Sequence, residues 1–205
     1  AMALAAMVIH YSRTLSERTE TDHQLRHLAD KATRDPLSGL FNRAFLESHL
    51  DGLGPHARGG LLFIDLDHFK VVIDRFGHAR GDALLRAVAQ RIDDTMRDGD
   101  IACRWGGDEF VVLAKGLSSA AQAHTAAERL RSSVETPTRI AGQLVRVTGS
   151  VGLAVAEGDV SAEVLIQQAD AALHHAKARG RERVEAFDPT LLHDVVTRLR
   201  TETEL

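Results

Sequence analysis

Apolar runs in the middle of the chain predict a set of strands. Gly59–Leu66 is apolar at nearly every position, and a run without alternation is typical of a central strand that is buried on both faces. Short apolar runs at residues 101–103 and 111–113 flank a Gly-Gly-acid centre, which predicts two strands joined by a tight turn. A further hairpin is predicted to turn near Gly142, before an apolar strand over residues 151–154.

Amphipathic stretches between these strands predict helices, because apolar side chains three and four positions apart lie on one face of a helix. The three longer stretches are residues 82–96, 118–134 and 161–178. Residues 43–50 predict a shorter helix, which Asn42 can cap. Since strands and helices alternate but two hairpins are present, we expect a mixed sheet rather than an all-parallel one.

The first part of the chain predicts one long helix, because residues 3–33 contain neither Gly nor Pro. A thin apolar stripe starts at Leu4 and resumes at Leu25 after a polar interval. Such a stripe covers no core by itself. The helix is therefore expected either to pair with a second copy as a parallel coiled coil or to fold back on its own domain, and the two interpretations have equal weight.

Composition narrows the class of protein. The 205 residues correspond to one domain with flanking segments, and a hydrophobic content of 44% is enough for a globular core. A net charge of −4 supplies no basic field for a nucleic-acid partner. The one cysteine, Cys103, excludes an internal disulfide and is expected to be buried as a small apolar residue. No apolar run reaches the length of a membrane span, and the abrupt apolar start over residues 1–9 leads us to expect a fragment of a larger protein.

The candidate chemistry is concentrated in residues 104–110, Arg-Trp-Gly-Gly-Asp-Glu-Phe, which we call the signature segment. Gly106 and Gly107 permit a backbone with positive φ and let another group approach closely. Asp108 and Glu109 place two carboxylates at the same tip. Carboxylates beside a backbone without side chains suit a phosphate-bound Mg²⁺, which prefers oxygen ligands. Taken alone, the Gly-Gly-acid pattern would favour a solvated turn.

The signature segment resembles that of the GGDEF (diguanylate cyclase) family, and four more motifs resemble the family's. Residues 35–43 are similar to its Asp-x-Leu-Thr-Gly-Leu-x-Asn-Arg opening, and residues 65–70 to its Asp-hydrophobe-Asp-x-Phe-Lys. Residues 73–82 match Asn-Asp-x-x-Gly-His-x-x-Gly-Asp except at Ile73, which stands where the family has Asn. Residues 169–182 resemble Ala-Asp-x-Ala-Leu-Tyr-x-Ala-Lys-x-x-Gly-Arg-Asn, with His in place of Tyr and Glu in place of the final Asn.

This resemblance covers residues 35–187 and implies an α/β (α+β) fold like that of nucleotidyl cyclase and polymerase palm domains. Such a fold has a mixed, largely antiparallel five-stranded sheet wrapped by helices. Residues 1–34 would form an N-terminal signalling helix similar to a coiled coil, and residues 188–205 a C-terminal linker helix. That linker resembles the one that joins GGDEF domains to a following EAL phosphodiesterase domain, so we expect the chain to come from a GGDEF–EAL tandem protein.

The resemblance implies a site for Mg²⁺ or Mn²⁺. The ligands would be Asp65, the backbone carbonyl of Leu66, and Asp108. Glu109 would be a second acidic ligand or a general base, and the spacing does not separate the two roles. A carboxylate at the end of a buried strand is costly unless it faces a cleft or binds a cation, which favours a metal site. By itself, however, Asp65 is also compatible with a residue that caps the next turn.

A GTP site is implied as well. Asp82 would accept hydrogen bonds from the N1–H and 2-amino groups of guanine, whereas Ile73 lacks the polar side chain that the family uses beside it. Lys177 and Arg181 match the residues that hold the triphosphate, although a helix dipole also favours cations at such positions. Lys70 resembles a phosphate-facing lysine and completes the catalytic group with Asp108 and Glu109. Two neighbours of Lys70 are further implied substrate contacts: His68 and Phe69.

A second ligand site is implied at Arg97 and Asp100. They lie three positions apart, share a face if the preceding helix continues, and resemble the family's Arg-x-x-Asp inhibitory site at its usual offset before the two glycines. In the family, this arginine grips guanine and phosphate of the product, for which the planar fork of a guanidinium is suited. The alternative is a solvated salt bridge at a helix end.

The implied function is the condensation of two GTP into cyclic di-GMP and two pyrophosphates, dependent on Mg²⁺ and inhibited by the product. Because each domain holds one GTP, catalysis would need a homodimer. Fused sensory and EAL domains are expected partners. We expect this domain to be cytoplasmic, in a protein with or without a membrane anchor. Two alternatives stay open: a GTP- or cyclic di-GMP-binding regulator of a phosphodiesterase domain, with Ile73 marking lost catalysis, and a cyclase of altered base choice, against which Asp82 argues.

Overall fold

The computed structural model describes residues 32–52, 59–117, 119–156 and 160–189. Internal contacts separate two units, Ala1–Arg34 and Asp35–Leu205, and every element below belongs to the second. Of the helix predicted over residues 3–33, only positions 32 and 33 are described, and both are helical. The helix predicted after Pro189 lies outside the described residues.

Eight strands and five helices follow one another along the described residues. Their bounds are β1 (Phe41–Asn42), α1 (Arg43–Asp51), β2 (Gly59–Leu66), α2 (Phe69–Phe76), α3 (His78–Thr95), β3 (Ile101–Gly106), β4 (Glu109–Lys115), α4 (Ala120–Val134), β5 (Thr138–Ile140), β6 (Gln143–Val145), β7 (Gly149–Val155), α5 (Ala162–Ala178) and β8 (Val184–Ala186). The four predicted helices are present, α3 begins at His78 rather than at residue 82, and α2 is an additional helix. Asn42 caps α1 as predicted, because its Oδ1 accepts a hydrogen bond from Phe45 N–H at 2.9 Å.

The main sheet of the described residues has six strands in the order β1-β3-β4-β2-β7-β8. The four inner strands pair with one another in antiparallel fashion, whereas the edge strands β1 and β8 pair in parallel with β3 and β7. This confirms the predicted mixed, largely antiparallel sheet. The sheet has six strands rather than five because short edge strands extend both ends. The β5–β6 hairpin stands apart and turns at Ala141 and Gly142, as predicted.

The alternation of side chains along β2 divides the core into two layers. Leu62 and Ile64 belong to a cluster with residues of α3 and α4, whereas Leu61 and Phe63 belong to a cluster with residues of α1 and α5. Because side chains in a strand alternate between faces, the next odd position, Asp65, projects towards the layer that contains α5. The strand therefore carries its terminal carboxylate to the face on which α5 lies.

Close packing sets the distance between α5 and the sheet. A Cβ atom on Gly152 of β7 would lie 2.1 Å from the carbonyl oxygen of Ala169 in α5, so no larger residue fits at this crossing. Ser161 caps the helix, since its Oγ accepts a hydrogen bond from Val164 N–H at 3.3 Å. The C-terminal end of α5, which carries Lys177, reaches the end of β2.

Cys103 of β3 is fully buried, as predicted. Burial, reinforced by the nearby charges of Asp35 and Glu47, raises the pKa of its thiol to about 12, and a thiol that stays protonated is a poor nucleophile. Within the described ranges, none of the helices combines the length and the apolar character that crossing a membrane requires.

Candidate active site

The signature segment forms the turn between β3 and β4, as predicted. β3 ends at Gly106 and β4 begins at Glu109, with an irregularity in their pairing between Arg104 and Gly106. Gly107 has a φ of +52°, in the left-handed region that favours glycine. A Cβ atom on either glycine would have no neighbouring atom within 4 Å. The turn therefore presents bare, accessible backbone directly before its two acids.

Arg104 holds this turn in place. Its Nη2 and Nε donate hydrogen bonds to the Gly107 carbonyl at 2.7 and 3.1 Å. Its Nη1 donates to both carboxylate oxygens of Asp35 at 3.1 and 3.3 Å. The guanidinium thus joins the signature segment to the opening motif, whose loop Asp35 also orders by accepting a hydrogen bond from Ser38 N–H at 2.8 Å.

The electrostatics of Asp35 fit this structural role. Burial alone would raise the pKa of its carboxyl group, but hydrogen bonds from Ser38 and Arg104, together with the charge of Arg104, outweigh burial and lower the pKa. The sequence analysis assigned no role to either residue of this pair. The available signal was that each begins a motif and that the two carry opposite charges.

Three acidic residues, Asp65, Asp108 and Glu109, lie where β2 ends and β4 begins, close enough for their charges to interact. Asp65 lies directly opposite Glu109 in the antiparallel pairing of the two strands, so both side chains leave the same face of the sheet. Leu66 N–H donates a hydrogen bond to the carbonyl of Asp108 at 3.3 Å. The structure therefore brings together the predicted metal-binding residues of both motifs.

Lys177 joins this group from the end of α5. Its Nζ lies 2.7 Å from Oδ2 of Asp65, and both side chains are mostly buried, with exposed fractions of 26% and 14%. Burial raises the pKa of Asp65, Lys177 opposes the rise, and the charges of Asp108 and Asp67 add to it, so that the pKa stays above its usual value. One lysine does not balance this concentration of acids.

Glu109 is also held in an unfavourable charged state. Its pKa is raised by burial first and then by the charge of Asp65, while Lys177 opposes the rise and Asp108 and Asp170 add to it. The folded protein thus binds the Glu109 proton more tightly than the unfolded chain does. The stability that this group contributes is present below its usual pKa of 4.5 and is lost as the pH rises through the raised value.

We therefore expect Glu109→Gln to stabilise the protein without divalent metal. At pH 7 the variant removes a repelled carboxylate, and its melting temperature should rise by about 1–3 °C. At pH 4 wild-type Glu109 is largely protonated, and the gain should vanish. Calorimetric melting at both pH values, in a metal-chelating buffer, measures the difference. Equal melting temperatures at pH 7 would show that solvent screens the repulsion.

The residues present fit a divalent cation that arrives with a nucleotide. Among the described residues, no three His, Cys, Asp or Glu side chains form a ready metal cage. Mg²⁺ does not need one, because it binds through one or two carboxylates together with substrate phosphates and water. A cation near Asp65, Asp108 and Glu109 would also relieve the repulsion that raises the pKa values of Asp65 and Glu109.

Asp67, the second acid of its motif, lies in a different environment. It is buried, and it accepts hydrogen bonds from the hydroxyls of Thr148 and Ser150 at 2.9 and 2.8 Å. Nε of Arg181 lies 3.9 Å from its Oδ1. Sequence reasoning did not single out Asp67, although a second Asp after a buried strand is an available signal.

The residues at the start of α2 differ in exposure. His68 is exposed and has a φ of 57°, and Lys70 is exposed on the first turn of the helix. Phe69 is 6% exposed, and its side chain belongs to the core. A substrate contact by Phe69 would therefore have to use its backbone N–H.

Ile73 fills the contact between α2 and α3. Its Cγ1 lies 3.0 Å from the position of a Cβ atom on Gly81, and Cζ of Phe69 lies 3.3 Å from the same position. Asp82, the predicted guanine reader, follows Gly81 directly and is half-buried. The apolar side chain that replaces the family's Asn is thus packed beside Asp82.

Arg97 and Asp100 lie beyond the end of α3 at Thr95, so the helix does not continue through them and they do not share a helix face. They occupy a turn in which Asp100 N–H donates to the Arg97 carbonyl at 3.0 Å. The Asp100 carboxylate accepts hydrogen bonds from the N–H groups of Arg97 and Lys115 at 3.0 and 2.9 Å. Asp100 therefore ties the turn to the end of β4, while the Arg97 side chain is exposed.

Comparison with known proteins places this arrangement in a family. Residues 32–183 match the model described as "Diguanylate cyclase, GGDEF domain". The chain is 38% identical over 200 residues to the cyclic di-GMP phosphodiesterase NbdA of Pseudomonas aeruginosa, covering 95% of this chain and 25% of NbdA. It is 39% identical over 168 residues to the diguanylate cyclase DgcP of the same species, covering 78% of this chain and 25% of DgcP. The chain spans about a quarter of the length of these curated relatives.

Solved structures show the same architecture. The GGDEF domain of TpbB (YfiN) from Pseudomonas aeruginosa matches with a TM-score of 0.74 at 33% identity, over 79% of this chain and 98% of that one. The coiled coil and GGDEF domain of DgcB from Caulobacter crescentus, solved in complex with c-di-GMP, matches with a TM-score of 0.79 at 28% identity, over 88% of this chain and 98% of that one.

The fold has a palm-type sheet in which acids from the ends of two strands lie beside a lysine. Its turn of two glycines and two acids, held by an arginine, is the feature that carries the family resemblance. The chain belongs to the GGDEF-domain family of diguanylate cyclases.

Proposed function

We propose that this domain condenses two GTP into cyclic di-GMP, with release of two pyrophosphates. The observation that carries the proposal is the convergence of Asp65, Asp108 and Glu109 with Lys177 at the end of β2. Carboxylates that need a cation, beside a lysine that can bind phosphate, suit a metal–triphosphate substrate. Phosphoryl transfer depends mainly on positioning and charge stabilisation, which these groups can supply.

The proposed role of Lys177 is to exchange partners. Without nucleotide it neutralises Asp65 at 2.7 Å. When GTP binds, the ammonium group would turn to the phosphates and, with Arg181 and Lys70, offset the charge that develops on the leaving pyrophosphate. Asp82 would select guanine by accepting hydrogen bonds from N1–H and the 2-amino group, which adenine cannot offer.

Asp65, Asp108 and the Leu66 carbonyl would hold the divalent cation. Mg²⁺ or Mn²⁺, when bound, would polarise the α-phosphate and lower the pKa of the attacking 3′-hydroxyl. Glu109 would complete the carboxylate set or accept the hydroxyl proton.

Each domain would hold one GTP, so we propose that two copies face each other during catalysis. Sensory and EAL domains in the rest of a longer protein would set how often they meet. The test is incubation with GTP and Mg²⁺ over a range of protein concentrations, with the product identified by mass spectrometry. Cyclic di-GMP formation with specific activity that rises with concentration is expected. Absence of the dinucleotide at every concentration would exclude the proposal.

Ile73 favours a second candidate function. An apolar residue beside Asp82 removes a polar contact to guanine, which is a plausible route to a domain that binds nucleotide without turning it over. The domain would then report GTP or cyclic di-GMP to a phosphodiesterase domain. Binding of either nucleotide by calorimetry, together with no dinucleotide product, would favour this function over the cyclase.

We propose that product inhibition acts through Arg97, and Arg97→Ala should weaken cyclic di-GMP binding. Losing a charge-assisted, bidentate contact costs about 1.5–3 kcal/mol, or about 10- to 150-fold in affinity. Because Asp100 uses the backbone N–H of Arg97, the turn should survive this change. Calorimetric titration with cyclic di-GMP measures the loss. The control is Arg86→Ala, at an exposed position of α3. Equal affinity of the two variants for cyclic di-GMP would show that Arg97 is an exposed cation that does not bind the product.

Ile73→Asn tests the guanine contact. An unmet polar group in a closed site costs about 1–3 kcal/mol, so the variant should lower KM for GTP by about fivefold or more with a smaller change in kcat. It also removes the packing of Ile73 on Gly81 and Phe69, so the melting temperature should fall. Steady-state kinetics and thermal melting give both values. A KM that stays the same or rises would show that the pocket is repacked around Ile73.

A further inference from the structure

The buried carboxylate of Asp67, directly after β2, connects two other parts of the chain: residues 148–150 and the turn after α5. Its Oδ2 accepts hydrogen bonds from the Thr148 hydroxyl at 2.9 Å and from Glu182 N–H at 3.3 Å. Its Oδ1 accepts from the Ser150 hydroxyl at 2.8 Å. The side chain is only 1% exposed, and Nε of Arg181 lies 3.9 Å from its Oδ1. A buried charge is stable only when it is satisfied in this way.

The turn after α5, whose Glu182 N–H bonds to Asp67, has an unfavourable backbone conformation. Arg181 and Glu182 have φ values of 60° and 52°, and two successive left-handed residues other than glycine cost about 1–2 kcal/mol each. Glu182 stands where the family has Asn, which tolerates this conformation better. Three hydrogen bonds hold the turn: Glu182 N–H donates to Asp67, Arg181 N–H donates to the Ala176 carbonyl at 3.0 Å, and Arg183 Nε donates to the Arg181 carbonyl at 3.2 Å.

This turn sets the direction of the Arg181 side chain. Nε of Arg181 lies 3.9 Å from Oδ1 of Asp67, yet 44% of the arginine side chain is exposed. Its Nε is therefore within ion-pair range of Asp67 but beyond hydrogen-bond distance, and the rest of the guanidinium is open. An arginine held on one edge loses less conformational entropy when its remaining N–H groups bind a phosphate.

We propose that Asp67 is a positioning residue for the triphosphate, which it serves by fixing the direction of the Arg181 guanidinium. This inference rests on the proposed function, in which Arg181 binds the phosphates. Asp67 itself touches no nucleotide. It ties β2, β7 and the turn after α5 into one frame, so that Arg181 is oriented before the substrate arrives.

Asp67→Asn separates this role from support of the fold. With its oxygen at the Oδ2 position, Asn keeps the bonds from Thr148 and Glu182. Its NH₂ group then faces Ser150, whose hydroxyl can accept as well as donate. Only the attraction to Arg181 is lost, and an NH₂ group faces its Nε. The variant should fold and should lose only the ion pair between residue 67 and Arg181.

The experiment compares binding of 3′-deoxyGTP, which lacks the attacking hydroxyl, with binding of GMP, by displacement of a fluorescent GTP analogue in Mg²⁺ buffer. Asp67→Asn should weaken 3′-deoxyGTP binding about tenfold and change GMP binding less than about twofold. Arg181→Ala should show the same pattern, and the double variant should lose no more than Arg181→Ala does. Asp93→Asn, which removes an exposed carboxylate from α3, is the control for net charge and should bind both nucleotides like the wild type.

Equal losses for both nucleotides would reduce Asp67 to a structural residue and overturn the inference, as would fully additive losses in the double variant. If Asp67→Asn does not melt cooperatively, Arg181→Lys decides. Lysine keeps the charge but has no Nε edge, so it should also lose about tenfold in 3′-deoxyGTP affinity, and undiminished affinity would overturn the inference. Failure of the wild-type protein to bind the fluorescent GTP analogue is a different outcome and would count against the proposed function itself.

Discussion

Asp108→Asn is expected to abolish Mg²⁺-dependent turnover, with a fall in kcat of at least about 10³-fold. The variant loses a negative ligand at the point where Asp65 and Glu109 also lie. Its backbone is unaffected, because Leu66 N–H bonds to the carbonyl of residue 108 and not to its side chain. The fold should therefore persist, and removal of one of several like charges should leave stability without metal equal or higher.

Asp65→Asn should have the same effect on turnover but a different effect on stability. This change leaves Lys177 without its carboxylate partner at 2.7 Å, and the two consequences, lost pairing and relieved repulsion, oppose each other. Steady-state assays with GTP and Mg²⁺, together with thermal melting in a metal-chelating buffer, separate the two variants. Retained activity in both would remove the metal assignment, whereas lost activity in a protein that no longer melts cooperatively would indicate misfolding.

The second large effect is expected for Arg104→Ala. It removes both hydrogen bonds to the Gly107 carbonyl and leaves the carboxylate of Asp35 without its cationic partner. Removing one partner of a largely buried, charge-assisted pair costs about 2–3 kcal/mol in the free energy of unfolding. The signature turn would also lose its support, and since a small displacement of catalytic groups is costly, kcat should fall about 100-fold.

Denaturant unfolding and GTP kinetics measure these two quantities on the same preparation. Arg104→Lys is the informative companion, because a lysine keeps the charge but cannot bond Gly107 and Asp35 in the same fork. Its kcat should lie nearer that of Arg104→Ala than that of the wild type. If both variants lose stability while kcat stays unchanged, Arg104 supports the fold without positioning Asp108.

Local pattern was sufficient for most of the secondary structure. The apolar run of Gly59–Leu66 has the predicted bounds, and Asn42 and Ser161 lie at the helix starts where they were expected or next to them. Strand alternation, helical spacing and capping depend on residues a few positions apart, so a single sequence contains them. The end of α3 at Thr95 is also within one residue of the predicted end, whereas the hydrogen bond that Asp100 accepts from the N–H of Lys115, a residue of another strand, had no local signal.

The sequence by itself therefore determined most of the elements, the family and the acids of the signature segment and of the end of β2. Only the tertiary structure decided which cation meets which acid. Arg104 pairs with Asp35 across 69 positions, and Asp67 receives its hydrogen bonds from residues 81, 83 and 115 positions away. Lys177 reaches Asp65 because α5 packs closely on β7 at Gly152. Such pairs of residues are set by the register of the sheet and the packing of its helices. Local sequence patterns contain no information about contacts between residues so far apart in the chain.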